Sequence, residues 1–418
     1  MGADASAREP NMDLVPYAVP FFLLLIGIEY VWGRLHGSDT YRLNDSVNSL
    51  SLGVLSTAIK IVGLNFGGAV FSWVEQHLAL TRLDMHSAWN WIFALLLYDL
   101  CYYWFHRISH ERTLFWASHV AHHQSEEYNL TTALRQTSTG FLVSWLFYIP
   151  CFIAGVPATM FVTVASVHLI YQLWIHTRHI PKLGVLEWFL ITASNHRVHH
   201  AQNARYVDKN YGGLLIVWDR LFGTFEEERA DEPPVYGILG PLRSWNPLWA
   251  NLHVYVQMLR DAWYTHAVAD KLRVLGARTG WRPADVAQRF PLAKGRLEDF
   301  RRYDPPLTRP VAAYTLAQFV FLLGYALWME QRAPAQGLML RLALFGYLLL
   351  GLIALGALMQ CAMTGRRWEQ LRLALTAGAV ALLYLTQSSP VWVNSLMIAY
   401  VLASLVVMRR MVPVAESI

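Results

Sequence analysis

The stretch YYWFHRISHERTLFWASHVAHHQSEEYNLTTALRQ, residues 102–136, and the stretch NHRVHHAQNARYVDKNYGGLLIVWDRLFGTF, residues 195–225, carry the pattern on which the fold and the chemistry depend. Side chains three or four positions apart lie on one face of a helix. We therefore expect three helical segments, each aiming its imidazole rings at one point. The clusters are His106 and His110, then His119, His122 and His123, then His196, His199 and His200.

Eight imidazoles are too many for a single tetrahedral zinc ion, which takes about four ligands. The pattern therefore predicts two metal ions that share the set. Imidazole ligation suits iron, zinc or copper, and oxygen chemistry would favour iron. Surface histidines on amphipathic helices are the alternative, but they do not account for three clusters with the same helical phase.

The composition indicates a membrane protein. Of the 418 residues, 55% are hydrophobic, and the mean hydropathy is +0.29. We predict an all-α integral membrane protein with about nine spanning or inserted helices and a cytoplasmic histidine-box domain. The apolar stretches are 15–33, 46–76, 88–105, 141–155, 157–175, 311–329, 337–358, 372–388 and 391–408. Pro150, Gly155 and Pro157 allow the pair in 141–175 to be a shallow hairpin instead.

Basic residues give an orientation, because short cytoplasmic loops collect Lys and Arg. With alternating spans, residues 106–140 and 177–310 fall on the same side as most of the basic residues. The histidine clusters are thus expected at the cytoplasmic face, in the inner membrane of a bacterium or the endoplasmic reticulum of a eukaryote. The net charge of +5 suggests contact with anionic lipid, and no nucleic-acid-binding module is recognisable.

Four regions are predicted along the chain. Residues 1–87 form a membrane anchor, 88–240 a histidine-box catalytic domain, 241–310 a cytoplasmic linker, and 311–418 a carboxyl-terminal membrane bundle. The three cysteines, Cys101, Cys151 and Cys361, lack CxxC spacing, so neither a disulfide framework nor a cysteine-zinc site is expected.

Two acidic residues near the first cluster are candidate catalytic groups. Glu111 directly follows His110 and could bridge metals, orient a ligand or accept a proton; alternatively, it forms a helical pair with Arg107. Asp99 lies two turns before His106 inside an apolar run. We expect it to bond a ligating histidine, the alternative being a buried bond to another span. After the third cluster, the neighbouring side chains of Asp208, Asn210 and Tyr211 could support the ligands or fix a loop.

These motifs, taken together, resemble the fatty acid hydroxylase and sterol desaturase superfamily of membrane non-haem di-iron enzymes. The likeness includes the three histidine clusters, which are called histidine boxes in this superfamily, their order, and the run NYGGLLIVWDRLFGTF. Within the superfamily, the alkylglycerol monooxygenases share Glu111 after the first box, NLTTALRQ after the second, and LWIHT at 173–177. The likeness covers most of the chain and is most specific in 88–240.

The resemblance implies O2-dependent hydroxylation of a lipid chain by two iron ions. For an alkylglycerol, hydroxylation beside the ether oxygen would release an aldehyde and a glycerol derivative, with tetrahydrobiopterin as reductant. The implied metal ligands are the eight box histidines and His176 in LWIHT. The chain departs from the pattern at Asn195, which replaces a histidine, and at His179, which could form an HX2H pair with His176 or face solvent.

Other functions share part of this pattern. A sterol, carotenoid or fatty acyl hydroxylase or desaturase would use the same boxes on a different lipid. A metal transporter would place its ligands near the midplane of the bilayer rather than in loops at one face. Since no dinucleotide fingerprint or haem-attachment motif is visible, electrons must come from outside the chain. The resemblance to alkylglycerol monooxygenases implies a pterin as the donor, with a ferredoxin or cytochrome b5-type partner as the alternative.

Overall fold

The computed structural model describes residues 13–63, 66–292, 295–360 and 363–411, so the prediction for Cys361 lies outside it. Within these residues the chain is helical and contains isolated β-bridges but no strands. This agrees with the predicted all-α class, since long apolar segments satisfy their backbone hydrogen bonds internally only as helices. The amino-terminal helices are α1 (Val15–Leu35), α2 (Leu43–Ala58) and α3 (Phe66–His77).

The central region combines two long helices with several short ones. The long α4 carries the first histidine cluster at its carboxyl end, and α9 packs beside it. The short α6 and α10 carry the other two clusters. The helices are α4 (Ala88–Glu111), α5 (Thr113–Ala117), α6 (Val120–His123), α7 (Leu130–Ala133), α8 (Trp145–Ile153), α9 (Ala158–Trp174), α10 (Ala193–His199) and α11 (Val217–Leu221).

The carboxyl-terminal part begins with α12 (Pro247–Tyr264), α13 (Val268–Gly276) and α14 (Ala284–Arg289). A bundle follows, in which each helix packs against the next and α2 packs against α15. Its core of leucine, methionine and aromatic side chains joins the amino-terminal and carboxyl-terminal parts of the chain. The bundle helices are α15 (Arg309–Arg332), α16 (Leu338–Met359), α17 (Met363–Leu385) and α18 (Val391–Arg410).

Four helical segments in the described part of the chain are long and apolar enough to cross a membrane: Val15–Leu35, Arg309–Ala335, Leu338–Met359 and Val391–Arg410. A fifth crossing would require Leu43–Val62 and Gly67–His77 to form one bent span. Among the other predicted crossings, α8 and α9 are too short to count as candidate spans, and α4 and α17 are too polar. The structure therefore gives a membrane protein with four candidate spans, and the count of nine stays a prediction.

The predicted interruption in 141–175 is present as a turn between α8 and α9. Gly155 has a φ of +84°, and a Cβ there would lie 2.0 Å from the carbonyl oxygen of Thr81. Only glycine fits this close approach. Cys101 on α4 and Cys151 on α8 are buried free thiols, with their sulfur atoms 3.9 Å apart.

A buried ion pair connects the helices of the carboxyl-terminal bundle. Glu369 and Arg372 on α17 are fully buried, with a guanidinium nitrogen 2.6 Å from the carboxylate. Arg372 also donates to Gln318 on α15, Tyr347 on α16 and Tyr400 on α18. One guanidinium thus contacts all four helices.

We expect Glu369→Gln to destabilise the bundle, because it leaves a buried guanidinium without its counter-charge. Breaking a buried pair in this way costs about 3–5 kcal/mol. The thermal unfolding midpoint of the purified protein in detergent measures the effect. Asp299→Asn is the control, since its exposed pair with Arg296 should contribute at most about 1 kcal/mol. Equal midpoints for the two variants would contradict the role given to Glu369.

Candidate metal centre

Nine buried histidines form two adjacent groups where α4, α6, α9 and α10 end or begin. Within each group, one ring nitrogen of every member lies within 4.8 Å of the others. Each group could therefore hold a metal ion. The first group is His106, His110, His119, His123 and His199, and the second is His122, His176, His196 and His200.

The division between the groups does not follow the three sequence clusters. The expectation that each cluster aims at one point is wrong, because His122 and His123 belong to different groups. Consecutive side chains on a helix point about 100° apart, so these neighbours face different directions. The third cluster divides in the same way, with His199 in the first group and His196 and His200 in the second. The second and third boxes are thus shared by both groups.

The ring nitrogens in each group face one another at close range. In the first group, the Nε2 atom of His119 lies 3.1 Å from that of His106 and 3.0 Å from that of His123. In the second, the Nε2 atom of His196 lies 3.0 Å from that of His176 and 3.2 Å from that of His200.

The donor set suits a metal ion. The Nε2 atom of His199 is buried and has no hydrogen-bond partner in the described structure. Several neutral imidazoles cannot all be satisfied by bonds among their own Nε2 atoms, because each neutral ring has only one N–H. A shared cation would satisfy these lone pairs together.

Backbone carbonyls fix the orientation of four rings. A carbonyl oxygen can only accept, so the Nδ1 atom that faces it carries the proton and the Nε2 lone pair points into the group. The Nδ1 atoms of His106, His122, His176 and His199 lie 2.7, 2.8, 2.7 and 2.9 Å from the carbonyl oxygens of Tyr211, Arg135, Gln172 and Lys209.

Burial keeps the rings neutral. It lowers the pKa of His122 to about 4 and lowers the pKa values of His119, His123, His196 and His199 well below their usual range. Desolvation disfavours the charged imidazolium, and neighbouring imidazoles add to this effect in most of these rings. At neutral pH the imidazoles are therefore in the unprotonated state that a metal ligand requires.

Asp99 does not bond a box histidine in the described structure, so that prediction is wrong. Its Oδ1 atom accepts from His168 Nε2 at 2.7 Å and from the Leu214 amide at 2.9 Å. Its Oδ2 atom accepts from the Leu215 amide at 3.1 Å and from Trp218 Nε1 at 2.8 Å. Because His168 lies on α9, the alternative of a buried bond to another apolar helix holds instead.

The partners of Asp99 connect it to the centre through one loop. A Cβ at Gly213 would lie 2.3 Å from the His168 ring. Only glycine therefore allows the 211–215 loop to lie against this ring. Asp219 accepts from the amides of Tyr211 and Gly212 in the same loop, and the Tyr211 carbonyl holds His106. Sequence reasoning missed His168. The available signal was that His168 is an ionisable residue inside the apolar stretch 157–175. A buried carboxylate such as Asp99 needs a hydrogen-bond donor.

Glu111 forms the predicted helical pair: its carboxylate lies 2.8 Å from Arg107 Nε, and its side chain is 34% exposed. The catalytic role of Glu111 stays a prediction. Asp208 lies beside the first group, with Oδ1 3.9 Å from His110 Nδ1. Its backbone is left-handed, with a φ of +60°.

The two departures from the family pattern are not members of the histidine groups. The side-chain oxygen of Asn195 accepts from the Thr192 amide at 3.1 Å, which caps the start of α10. His179 belongs to neither histidine group. Its Nε2 atom lies 3.4 Å from Thr40 Oγ1.

Comparison with known proteins gives a consistent result. A model of the fatty acid hydroxylase family matches residues 91–224. Alkylglycerol monooxygenase from Homo sapiens is 37% identical over 75% of this chain and 70% of its own length, and that from Danio rerio is 35% identical over 86% and 81%. An ornithine lipid hydroxylase from Rhizobium tropici is 27% identical over 53% and 68%.

No solved structure matches the chain. The family model covers the region that contains all nine grouped histidines. The matches to the Homo sapiens and Danio rerio proteins cover most of this chain and most of each relative. The chain therefore belongs to the alkylglycerol monooxygenase family of fatty acid hydroxylases.

Proposed function

We propose that this chain is a membrane-bound, O2-dependent di-iron monooxygenase that hydroxylates a lipid chain and cleaves alkylglycerol ethers to an aldehyde and a glycerol derivative. The observation that carries this proposal is the pair of adjacent buried histidine groups in a chain similar to alkylglycerol monooxygenases.

The nine grouped histidines are the proposed ligands. Two bound iron ions would supply the activation of dioxygen that attack on a carbon–hydrogen bond requires. The protein would keep its imidazoles neutral by burial and would aim them through the carbonyls of Tyr211, Arg135, Gln172 and Lys209. In this proposal Asp99 is a positioning residue that acts through the 211–215 loop.

The electron donor is proposed to come from outside the chain. Tetrahydrobiopterin is the donor that the family likeness favours, and a ferredoxin or cytochrome b5-type protein is the alternative. Neither a dinucleotide fingerprint nor a haem-attachment motif is present in the sequence.

We further propose that the chain crosses the membrane several times, with the centre at the cytoplasmic face. The distribution of arginine and lysine supports this orientation, because most of them fall on the side of the histidine boxes when the predicted spans alternate. The proposed regions are an anchor at 1–87, a catalytic region at 88–240, a linker at 241–310 and a bundle at 311–418.

Metal analysis tests the ligand assignment. We expect about two metal ions per purified chain and about one after either His123→Ala or His200→Ala, because each substitution removes a ligand from a different group. His179→Ala is the matched control and should retain both ions, since His179 lies outside the groups. Fewer than two ions in the parent protein, measured by plasma mass spectrometry, would contradict the di-metal proposal.

Product analysis tests the reaction. Membranes containing the chain, supplied with O2, tetrahydrobiopterin and an alkylglycerol, should release fatty aldehyde. His123→Ala should reduce the rate at least 100-fold, because transition-state stabilisation at the metal is lost. Mass spectrometry of the extracted lipids distinguishes the alternative, which is hydroxylation or desaturation of a sterol, carotenoid or fatty acyl chain. A hydroxylated sterol or acyl chain without aldehyde would contradict ether cleavage and support that alternative.

A further inference from the structure

An exposed apolar patch lies beside α10 and the 211–215 loop. A short 3-10 helix, Gly184–Trp188, and α11 form it, and an antiparallel β-bridge between Leu190 and Leu215 connects the two segments. A contiguous exposed patch of large apolar side chains marks an interaction surface. The six side chains of the patch are between 36% and 75% exposed and belong to Val185, Leu186, Trp188, Phe189, Leu221 and Phe222.

The two carboxylates of these segments are bonded to the protein rather than left on the exposed face. Glu187 Oε1 accepts from the hydroxyls of Thr192 and Ser194, at 2.9 and 2.7 Å. Asp219 is fully buried and accepts from amides of the 211–215 loop. The acidic groups of both segments thus hold α10 and the loop, and they do not interrupt the apolar surface.

The patch continues an exposed apolar face of α4. The Phe222 ring packs against Tyr103 and Trp104, at centroid distances of 5.2 and 5.0 Å. Since α4 packs against α9, and α9 packs against the candidate span α1, this face lies where lipid would surround the spans. Its exposed side chains follow the spacing of one helical face and belong to Trp89, Phe93, Leu96 and Trp104.

Tryptophan and arginine side chains indicate the depth of the patch. Trp is enriched where acyl chains meet headgroups, and Arg extends from there to the headgroups. On α4, the guanidinium carbon of Arg107 lies 5.6 Å from the centre of the Trp104 ring. In the patch, the guanidinium carbon of Arg220 lies 5.8 Å from the centre of the Trp188 ring. Both pairs fit the boundary between acyl chains and headgroups.

We propose that the apolar patch is inserted into the lipid bilayer, just below the headgroups of the leaflet nearer to the histidine groups. This contact is additional to the candidate spans and independent of the reaction that the centre performs. The occupant of the patch is lipid rather than a second copy of the chain, because the patch is continuous with the outer face of α4. Part of the segment 177–310 would then lie in the membrane interface and not in water.

Insertion would fix the centre relative to the bilayer surface. The Ile191 amide lies 2.9 Å from the Leu214 carbonyl oxygen, and the Ile216 amide lies 3.0 Å from the Phe189 carbonyl oxygen. These bonds connect the patch to the loop whose carbonyl holds the first box. The third box follows directly, because α10 begins at Ala193. One interfacial contact would therefore position segments that serve both histidine groups.

Photolabelling of the unsubstituted protein tests the insertion. The chain is reconstituted in phosphatidylcholine vesicles that contain a phosphatidylcholine with a diazirine near the carbonyl of its acyl chain. Adducts are mapped by mass spectrometry of peptides. We expect adducts in 184–189 and 217–222, because an interfacial segment reaches the outer part of the acyl region. Two segments are internal controls: α1 should be labelled, and the exposed loop with Arg229 and Asp231 should not.

A water-soluble diazirine separates the other possible occupants. It should label the loop at 229–231 and leave the patch unlabelled. Labelling of the patch by this reagent alone would show that the patch faces water. Labelling by neither reagent would show that a second copy or another protein covers it. Either result would overturn the proposal.

Substitution tests whether the apolar side chains cause the insertion. The double variant Trp188→Glu, Phe189→Glu should lower the yield of lipid adducts at 217–222 roughly tenfold, because carboxylates are costly among acyl chains. Leu239→Glu is the matched control, since this side chain is 48% exposed but lies outside the patch, and it should keep the parent yield. Equal thermal unfolding midpoints in detergent show that both variants fold. An unchanged yield in a folded double variant would contradict the insertion; if that variant does not fold, the two reagents on the unsubstituted protein decide.

Discussion

The hydrogen bonds from ring Nδ1 atoms to backbone carbonyls are the constraint on which the candidate centre depends. Without them, either nitrogen of a neutral imidazole could carry the proton, and the ring could rotate. The carbonyls of Tyr211 and Lys209 belong to one loop, and those of Arg135 and Gln172 to two other segments. The positions of the donor atoms are therefore set by tertiary structure as well as by the helices that carry the histidines.

The segments that supply these carbonyls are themselves held by buried polar groups. Arg135 is almost fully buried and donates to the Ala121 carbonyl and to Ser49, which fixes the chain after the second box. Asp99 and Asp219 hold the amides of the 211–215 loop. Buried charges of this kind are costly unless fully hydrogen-bonded. Their placement around the centre shows that much of the polar interior supports ligand orientation.

The sequence was sufficient to predict the helical class and the histidines that come together. Helical spacing predicted that box histidines share faces, and family likeness added His176. The division into two groups could not be obtained from spacing, because it depends on how α6 and α10 lie between the groups. Asp99 shows the same limit: its apolar surroundings predicted a buried partner, but only packing between α4 and α9 identifies His168.

The number of membrane crossings was harder to predict for a related reason. An apolar run of residues can be buried against lipid or against other helices, and composition does not distinguish the two. In α4 the same helix carries apolar side chains, Asp99 and two box histidines, so its hydropathy falls below that of a simple span. The centre requires polar groups at the end of an otherwise apolar helix. Hydropathy alone therefore does not identify α4, which carries the first histidine cluster, as a candidate span.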